Sequence, residues 1–277
     1  MSWFEAVLLG LLQGLTEFLP VSSSAHLAIF PQLFGLADPG ASFTAVTQIG
    51  TETAVIVFFW RDIWRIASTW FRSLFRPELR GELDARMGWF IIIGTIPIAV
   101  AGVLLENTIQ TTFRNLWVIA FDLIVFGLIL GMADRIGRKT QPIDRLNLPD
   151  AIYYGLAQTL ALVPGVSRSG ATIRLGLFRG YTRVAATRYA FLLAIPAVVA
   201  SGIFQLPDVN ANAEPGMPKT LVATAVAFVV GYVVIGWLLR YLRTGSYWPF
   251  VWYRVALGTL VLVLLATGVL NAHVPLG

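Results

Sequence analysis

The chain contains no cysteine. That excludes a disulfide framework, thiolate catalysis and any Cys-ligated metal. Charge is also scarce: 13% of the 277 residues are Asp, Glu, Lys or Arg, against roughly 25% in soluble domains. Apolar residues make up 57%, and the mean hydropathy is +0.73. Such a composition places the chain in a bilayer. The net charge of +5 would suit nucleic acid, but the basic residues lie in short segments between apolar runs, as the positive-inside bias requires. No nucleic-acid partner is expected. No long Pro/Gly/Ser linker divides the chain, so residues 1–277 read as a single polytopic membrane domain. The N-terminus lacks the basic region of a cleavable signal, and its apolar run already holds Glu5, Gln13 and Glu17.

Two stretches stand out from this apolar background. Gln13–His26 reads QGLTEFLPVSSSAH and Gln158–Thr172 reads QTLALVPGVSRSGAT. Each is an apolar segment broken by proline, with hydroxyls and a charged or titratable residue beyond the break. Residues 3–19 and 27–36 are each short of the roughly 20 residues a spanning helix needs. They are expected to form a re-entrant helical hairpin, a single kinked span being the alternative. Residues 151–163 and 173–181 repeat that pattern.

Full spans are expected over 43–60, 87–105, 115–133, 186–206, 220–239 and 250–270. Between them, Arg61, Arg65, Arg72, Arg76, Arg80 and Arg86 fall in one expected loop. Arg135, Arg138, Lys139 and Arg145 fall in a second on the same side, which is assigned to the cytoplasm. A short polar turn joins 87–105 to 115–133. An acidic loop with Asp208 and Glu214 is expected on the other side.

Shifting residues 5–27 onto 150–172 aligns eight identities without gaps: Ala6, Gly10, Leu11, Gln13, Leu15, Val21, Ser22 and Ser24 match Ala151, Gly155, Leu156, Gln158, Leu160, Val166, Ser167 and Ser169. Three spans separate the copies, and an odd number inverts the second. The expected fold is therefore an all-α integral membrane protein with an inverted-topology repeat. Each repeat, about 3–133 and about 150–271, is one re-entrant hairpin plus three transmembrane helices. Such folds place their sites near the midplane, where broken helices meet.

At the breaks, Ser22, Ser23 and Ser24 open one half-helix, and Ser167, Arg168, Ser169 and Gly170 open the other. Helix N-termini present free N–H groups to anions, and Arg168 adds a fork suited to phosphate. For the serines alone, plain N-capping is the simpler reading. Gln13 and Glu17 share a helical face, and His26 lies one turn beyond Ser23. A carboxylate, a hydroxyl, an imidazole and an arginine suffice for phosphoryl hydrolysis.

Glu17–His26 and Pro164–Thr172 closely resemble the two signature motifs of the undecaprenyl-diphosphatase family, the bacitracin-resistance (BacA/UppP) type. The resemblance covers essentially the whole chain. It implies hydrolysis of undecaprenyl diphosphate to the monophosphate and phosphate, recycling the carrier for cell-wall synthesis and conferring bacitracin resistance. It also implies a divalent cation, Mg2+ or Ca2+, with Glu17 as a ligand, a polyprenyl diphosphate lipid as partner, and a bacterial inner membrane location with the site facing the outer side. A homodimer is compatible with the sequence. Glu17, Ser23, His26 and Arg168 match catalytic positions. Ser22, Ser24, Ser167, Ser169, Gly170, Thr172 and Gln13 are assigned to substrate binding.

In the expected mechanism Arg168 and the helix tips hold the diphosphate. Ser23 attacks or orients water, His26 transfers the proton, and Glu17 orients His26 or binds the metal. The nucleophile stays open among Ser22, Ser23, Ser24 and water. Family members often carry Glu where this chain has Gln13, and Glu52 stands unexpectedly in an apolar run. Glu52 is expected to pair with Arg188, to compensate for Gln13, or to reflect a misplaced span. The alternative function is a lipid-phosphate or anion transporter, which inverted repeats also suit.

Overall fold

A computed structural model describes residues 1–36, 40–105, 115–205 and 216–272. Among the described residues the regular structure is helical, with an isolated bridge between Gln141 and Tyr181. The helices are α1 Trp3–Phe18, α2 Ser23–Phe34, α3 Gly40–Phe58, α4 Trp60–Phe75, α5 Leu83–Leu104, α6 Leu116–Ile136, α7 Leu148–Thr159, α8 Arg168–Phe178, α9 Arg183–Gln205, α10 Met217–Tyr241 and α11 Trp248–Ala266. Five of them, α5, α6, α9, α10 and α11, are long and apolar enough to cross a bilayer. A sixth candidate is the bent pair α3 and α4. The protein is a multi-pass, all-helical membrane protein. The expected polar turn at 106–114 and the acidic loop at 207–215 lie outside the described residues.

One expected loop is a helix. Residues 61–75, read as loop because of their arginines, belong with Trp60 to α4, which leaves α3 at 75°. Its charged residues recur with helical spacing among Trp64, Ile66, Trp70 and Phe71, an amphipathic pattern. Trp60, Trp64, Phe71 and Phe75 are exposed, whereas Ile66 is buried and Trp70 meets Trp89 of α5 edge-on. Basic residues with exposed aromatics are also the composition of helices that lie along membrane surfaces. Arg65 ties it to the start of α5 through Asp84 at 2.6 Å.

The short helices α1, α2, α7 and α8 form where the apolar pieces around each break were expected. α8 starts at Arg168, five residues before its apolar run. The two copies match in local detail. Ser2 caps α1 by accepting from Glu5 N, and Asn147 caps α7 by accepting from Asp150 N. Ser22 and Ser167 cap α2 and α8, with φ of 74° and 71°. In both, the cap hydroxyl accepts from a backbone N–H three residues on (Ala25, Gly170) and pairs with the serine two residues on.

Packing repeats the match. α1 lies against α10, and α7 lies against α5. Each contact closes on a glycine at the same point of the copy. A Cβ on Gly10 would sit 2.4 Å from Ala223 O, and one on Gly155 would sit 2.5 Å from Gly94 O. Backbone meets backbone there, so only glycine fits. α6 packs along α11, and α3 along α9.

These contacts predict that Gly10→Ala and Gly155→Ala each destabilise the protein by about 1–3 kcal/mol. Gly81→Ala, whose Cβ would meet nothing within 4 Å, should be neutral. Thermal unfolding of the three variants in detergent measures the difference.

Candidate active site

The site begins where α1 ends. Leu19 precedes proline, which favours extended backbone, and its φ of −68° and ψ of 140° stop the helix one residue after Phe18. Glu17 therefore sits in the last turn of α1, with its side chain 6% exposed. Beyond the break, Ser22 holds a sparsely populated backbone conformation that costs on the order of 1–3 kcal/mol. Its hydroxyl offsets part of that cost by capping α2. Ser23 then becomes the first residue of α2, and its hydroxyl donates to Glu17 Oε2 at 2.7 Å. Gln13, fully buried one turn below, donates to the same oxygen at 3.1 Å.

The second break presents a guanidinium at the corresponding position. Arg168 is the first residue of α8, as Ser23 is of α2. Its Nη2 reaches Glu17 Oε1 at 2.9 Å and Glu52 Oε1 at 2.6 Å. Its Nη1 donates to Ala194 O at 3.4 Å. Ser169 donates to the backbone carbonyl of Glu17 at 3.4 Å. Glu17 and Arg168, 151 residues apart in sequence, thus bring the two breaks together at one carboxylate. Glu17, Phe18, Glu52, Val55, Arg168 and Phe191 line a narrow cleft there, with a cavity of about 10 Å³, room for about one water.

Glu52 belongs to this cluster. The expected pairing with Arg188 does not form: Arg188 is held by Asp62 of α4 at 2.5 Å and lies over the Phe59 ring. Glu52 faces inward from α3, 3% exposed, and its Oε2 is buried without a hydrogen-bond partner. The run in which it stands holds Thr47, Thr51 and Thr53, whose hydroxyls bond back to their own helix. The segment can therefore carry polar side chains in an apolar setting.

His26 is near but separate. Its Nδ1 donates to Ser22 O at 2.7 Å, since a carbonyl can only accept. Its Nε2 meets Tyr253 Oη of α11 at 2.6 Å. Both ring nitrogens are thus taken up within the fold, and the side chain bonded to the Ser23 hydroxyl is Glu17. Ser22 and Ser167 serve as caps, in line with the plain reading of the serines, and Gly170 donates its N–H to Ser167. Thr172 is buried and bonds to Arg168 O and Ser169 O within α8. Ser24 is exposed and pairs with Ser22.

Reading by motif missed two residues. Tyr253 is one. The other is Arg254, fully buried in α11. Its guanidinium donates to Pro20 O at the first break, to Gly165 O and Val166 O at the second, and to Asp122 O and Leu123 O of α6, at 2.8–3.4 Å. That uses the five donors of an arginine. Carbonyls freed where a helix breaks inside a membrane must find donors, and one side chain supplies both breaks. The signal in the sequence was a lone charge inside an apolar span.

Among the described residues no three acidic or histidine side chains converge, so no all-protein cage exists there. Glu17 and Glu52 offer two carboxylates around one point, one oxygen of which lacks a partner. This donor set fits a cation that completes its shell with substrate phosphates and water, as Mg2+ does.

Residues 6–260 match the family described as "Bacitracin resistance protein BacA". The chain belongs to that family. It is 61% identical over 271 residues to a protein of Nocardioides sp. named "Undecaprenyl-diphosphatase", covering 98% of this chain and 99% of the relative. A Micrococcus luteus protein of the same name is 58% identical over 277 residues, covering 98% of this chain and 100% of the relative. A Streptomyces avermitilis protein named "Undecaprenyl-diphosphatase 2" is 52% identical over 285 residues, covering 99% and 98%. In this BacA family member the breaks that carry the motifs are the breaks that meet at Glu17.

Arg254→Leu should leave at least two buried carbonyls unpaired, at about 1–3 kcal/mol each. Arg254→Lys should recover only part of the loss, because an ammonium has three donors and no planar fork. Thermal unfolding of the purified variants checks both.

Proposed function

We propose that the chain hydrolyses undecaprenyl diphosphate to undecaprenyl phosphate and inorganic phosphate. This is the activity that the names of its full-length relatives print. The observation that carries the reading here is the meeting of Ser23, Glu17 and Arg168 at the two breaks: a hydroxyl, a carboxylate on that hydroxyl and a guanidinium on that carboxylate. Recycling of the lipid carrier for cell-wall synthesis follows from the products. Bacitracin resistance follows from the family.

In the proposed reaction Arg168 and the first N–H groups of α2 and α8 hold the diphosphate. Glu17 Oε2 takes the proton from Ser23 Oγ, with which it is already in contact. Ser23 Oγ forms a bond to the terminal phosphorus, and the bridging P–O bond breaks, releasing the lipid monophosphate. Water then bonds to the phosphoserine phosphorus, the Ser23 Oγ–P bond breaks, and Glu17 returns the proton to Ser23 Oγ as inorganic phosphate leaves. Direct attack by water, with Ser23 and Glu17 orienting it, uses the same contacts and remains the alternative first step. Glu17 thereby takes the role first given to His26. His26 is assigned the proton of the departing phosphate, for which its Nε2 must leave Tyr253. Glu17 and Glu52 would hold a divalent cation, which when bound supplies charge neutralisation at the phosphoryl oxygens. Gln13 and Ser22 act by supporting Glu17 and α2, while Ser24, Ser167, Ser169, Gly170 and Thr172 shape the tips around the phosphates.

The topology proposed with this function is one domain over 1–277, with each break a re-entrant hairpin and the second copy inverted. Equivalent caps, equivalent strained serines and the reciprocal packing of α1 on α10 and α7 on α5 support it. So does the basic character of residues 61–86, 135–145 and 240–243, which this topology puts on one side, the cytoplasmic face of a bacterial inner membrane. The site is taken to open outward, with the isoprenoid chain lying in lipid. Repeats of this kind also suit a lipid-phosphate or anion transporter. The carboxylate bonded to a hydroxyl beside the arginine favours hydrolysis.

Purified protein should release phosphate from a C15 or C55 prenyl diphosphate. Arg168→Ala should lower kcat by about 10²–10³ or more, as loss of a transition-state charge clamp does. Undiminished phosphate release by that variant sinks the assignment, and flux of lipid phosphate across liposomes without hydrolysis moves it to transport. Trapping a phosphoserine at Ser23 selects covalent catalysis over direct attack by water.

A further inference from the structure

The charges in the cleft do not balance. Two carboxylates, Glu17 and Glu52, share one guanidinium, that of Arg168, and both bonds fall on its Nη2. With all three groups ionised the cluster carries a net charge of −1, deep among apolar helices. A diphosphate arriving there meets a negative site and an arginine already committed to two anions. The cavity, about 10 Å³, is also too small to admit it. Something must separate Arg168 from its carboxylates before it can bind phosphate.

Glu52 carries the mark of an unfilled partner. It is 97% buried by the 3% exposure of the residue, it lines the cleft, and its Oε2 has no hydrogen-bond partner. A buried unpaired carboxylate oxygen is costly to leave so. Gln13 has the same feature at its Oε1. Gln13 bonds to Glu17 directly, and Glu52 shares Arg168 with it.

We propose that Glu52 and Glu17 form a divalent-cation site, and that loading this site frees Arg168 for the diphosphate. The cation takes the two carboxylates from the guanidinium, turns a net charge of −1 into +1, and leaves the arginine fork for the phosphate oxygens. Mg2+ suits two carboxylates completed by phosphate and water. Cation and diphosphate then bind with positive coupling, which must be reciprocal. Glu52 is thus a cation ligand, reached in the chain 35 residues beyond Glu17 and on a different helix. The coupling half of this inference rests on the diphosphatase reading above. The cation half does not.

Mn2+ binding to the purified protein, followed by electron paramagnetic resonance, tests the cation half without any substrate. Wild type should bind Mn2+ at one site, and Glu52→Gln, which keeps shape and removes charge, should weaken it by about 10–100-fold. Gln13→Glu in the Glu52→Gln background should restore much of that loss, because residue 13 already touches Glu17 Oε2. Wild-type Mn2+ affinity in Glu52→Gln overturns the site and leaves Glu52 as an ion-pair partner of Arg168 alone. A non-hydrolysable C15 methylenediphosphonate tests the coupling on wild type alone. Mg2+ should tighten its binding by about 5–150-fold, with the same factor for Mn2+ when the analogue is added first. Equal affinity with and without Mg2+ overturns the release of Arg168. Failure of the analogue to bind under any condition removes the diphosphatase reading instead, while the Mn2+ measurements still decide the cation site.

Discussion

A guanidinium inside a bilayer needs oxygen atoms to meet it, and the ion pair of Arg168 with Glu17 and Glu52 is where this protein provides them. Removing one partner of a buried pair costs about 3–5 kcal/mol because the other is left unpaired. Three helices from distant parts of the chain, α1, α3 and α8, are thereby required to converge. Ser23 is carried into the cluster because it opens the helix that follows α1. The pair is consequently a structural tie between the two breaks, and it is the centre on which the proposed reaction rests.

The cluster sits at two helix breaks, and helices that break among apolar neighbours need donors for their freed carbonyls. Arg254 answers that need from α11, bonding to Pro20, Gly165 and Val166 at once. Ser22 and Ser167 answer the opposite need, N–H groups without acceptors, by taking a strained backbone conformation and capping their helices. Glycine at residues 10 and 155 then lets each leading helix approach a long helix of the other copy to backbone contact. The copies are alike in scaffold and unlike in chemistry: where one presents Ser23, the other presents Arg168.

Much of this was legible in the sequence because it is local. Proline breaks, cap residues and the repeat are read from neighbours along the chain, and they located both tips, the residues Glu17, Ser23 and Arg168, and the apolar spans. What was not legible depended on distance. Glu52 looked misplaced because its partner lies 116 residues away, and nothing between them indicates that Arg188 is taken by Asp62. Arg254 was hidden in an apolar run whose hydropathy outweighed one charge. The arginines of residues 61–86 suggested a loop, while their helical spacing with Trp and Phe marked an amphipathic helix. His26 and Ser23, one turn apart, looked like an acid–base pair, yet the side-chain directions send His26 to Tyr253 and Ser23 to Glu17.

Glu17 and Arg168, in contact at 2.9 Å, are expected to act as one unit across the two breaks. A double-mutant cycle on kcat/KM for prenyl diphosphate hydrolysis, with Glu17→Gln, Arg168→Gln and the double variant, measures that directly. Residues acting as a unit are strongly non-additive. The account predicts that the double variant is about as impaired as the worse single variant, an interaction of about 1–3 kcal/mol. Strictly additive losses would contradict it.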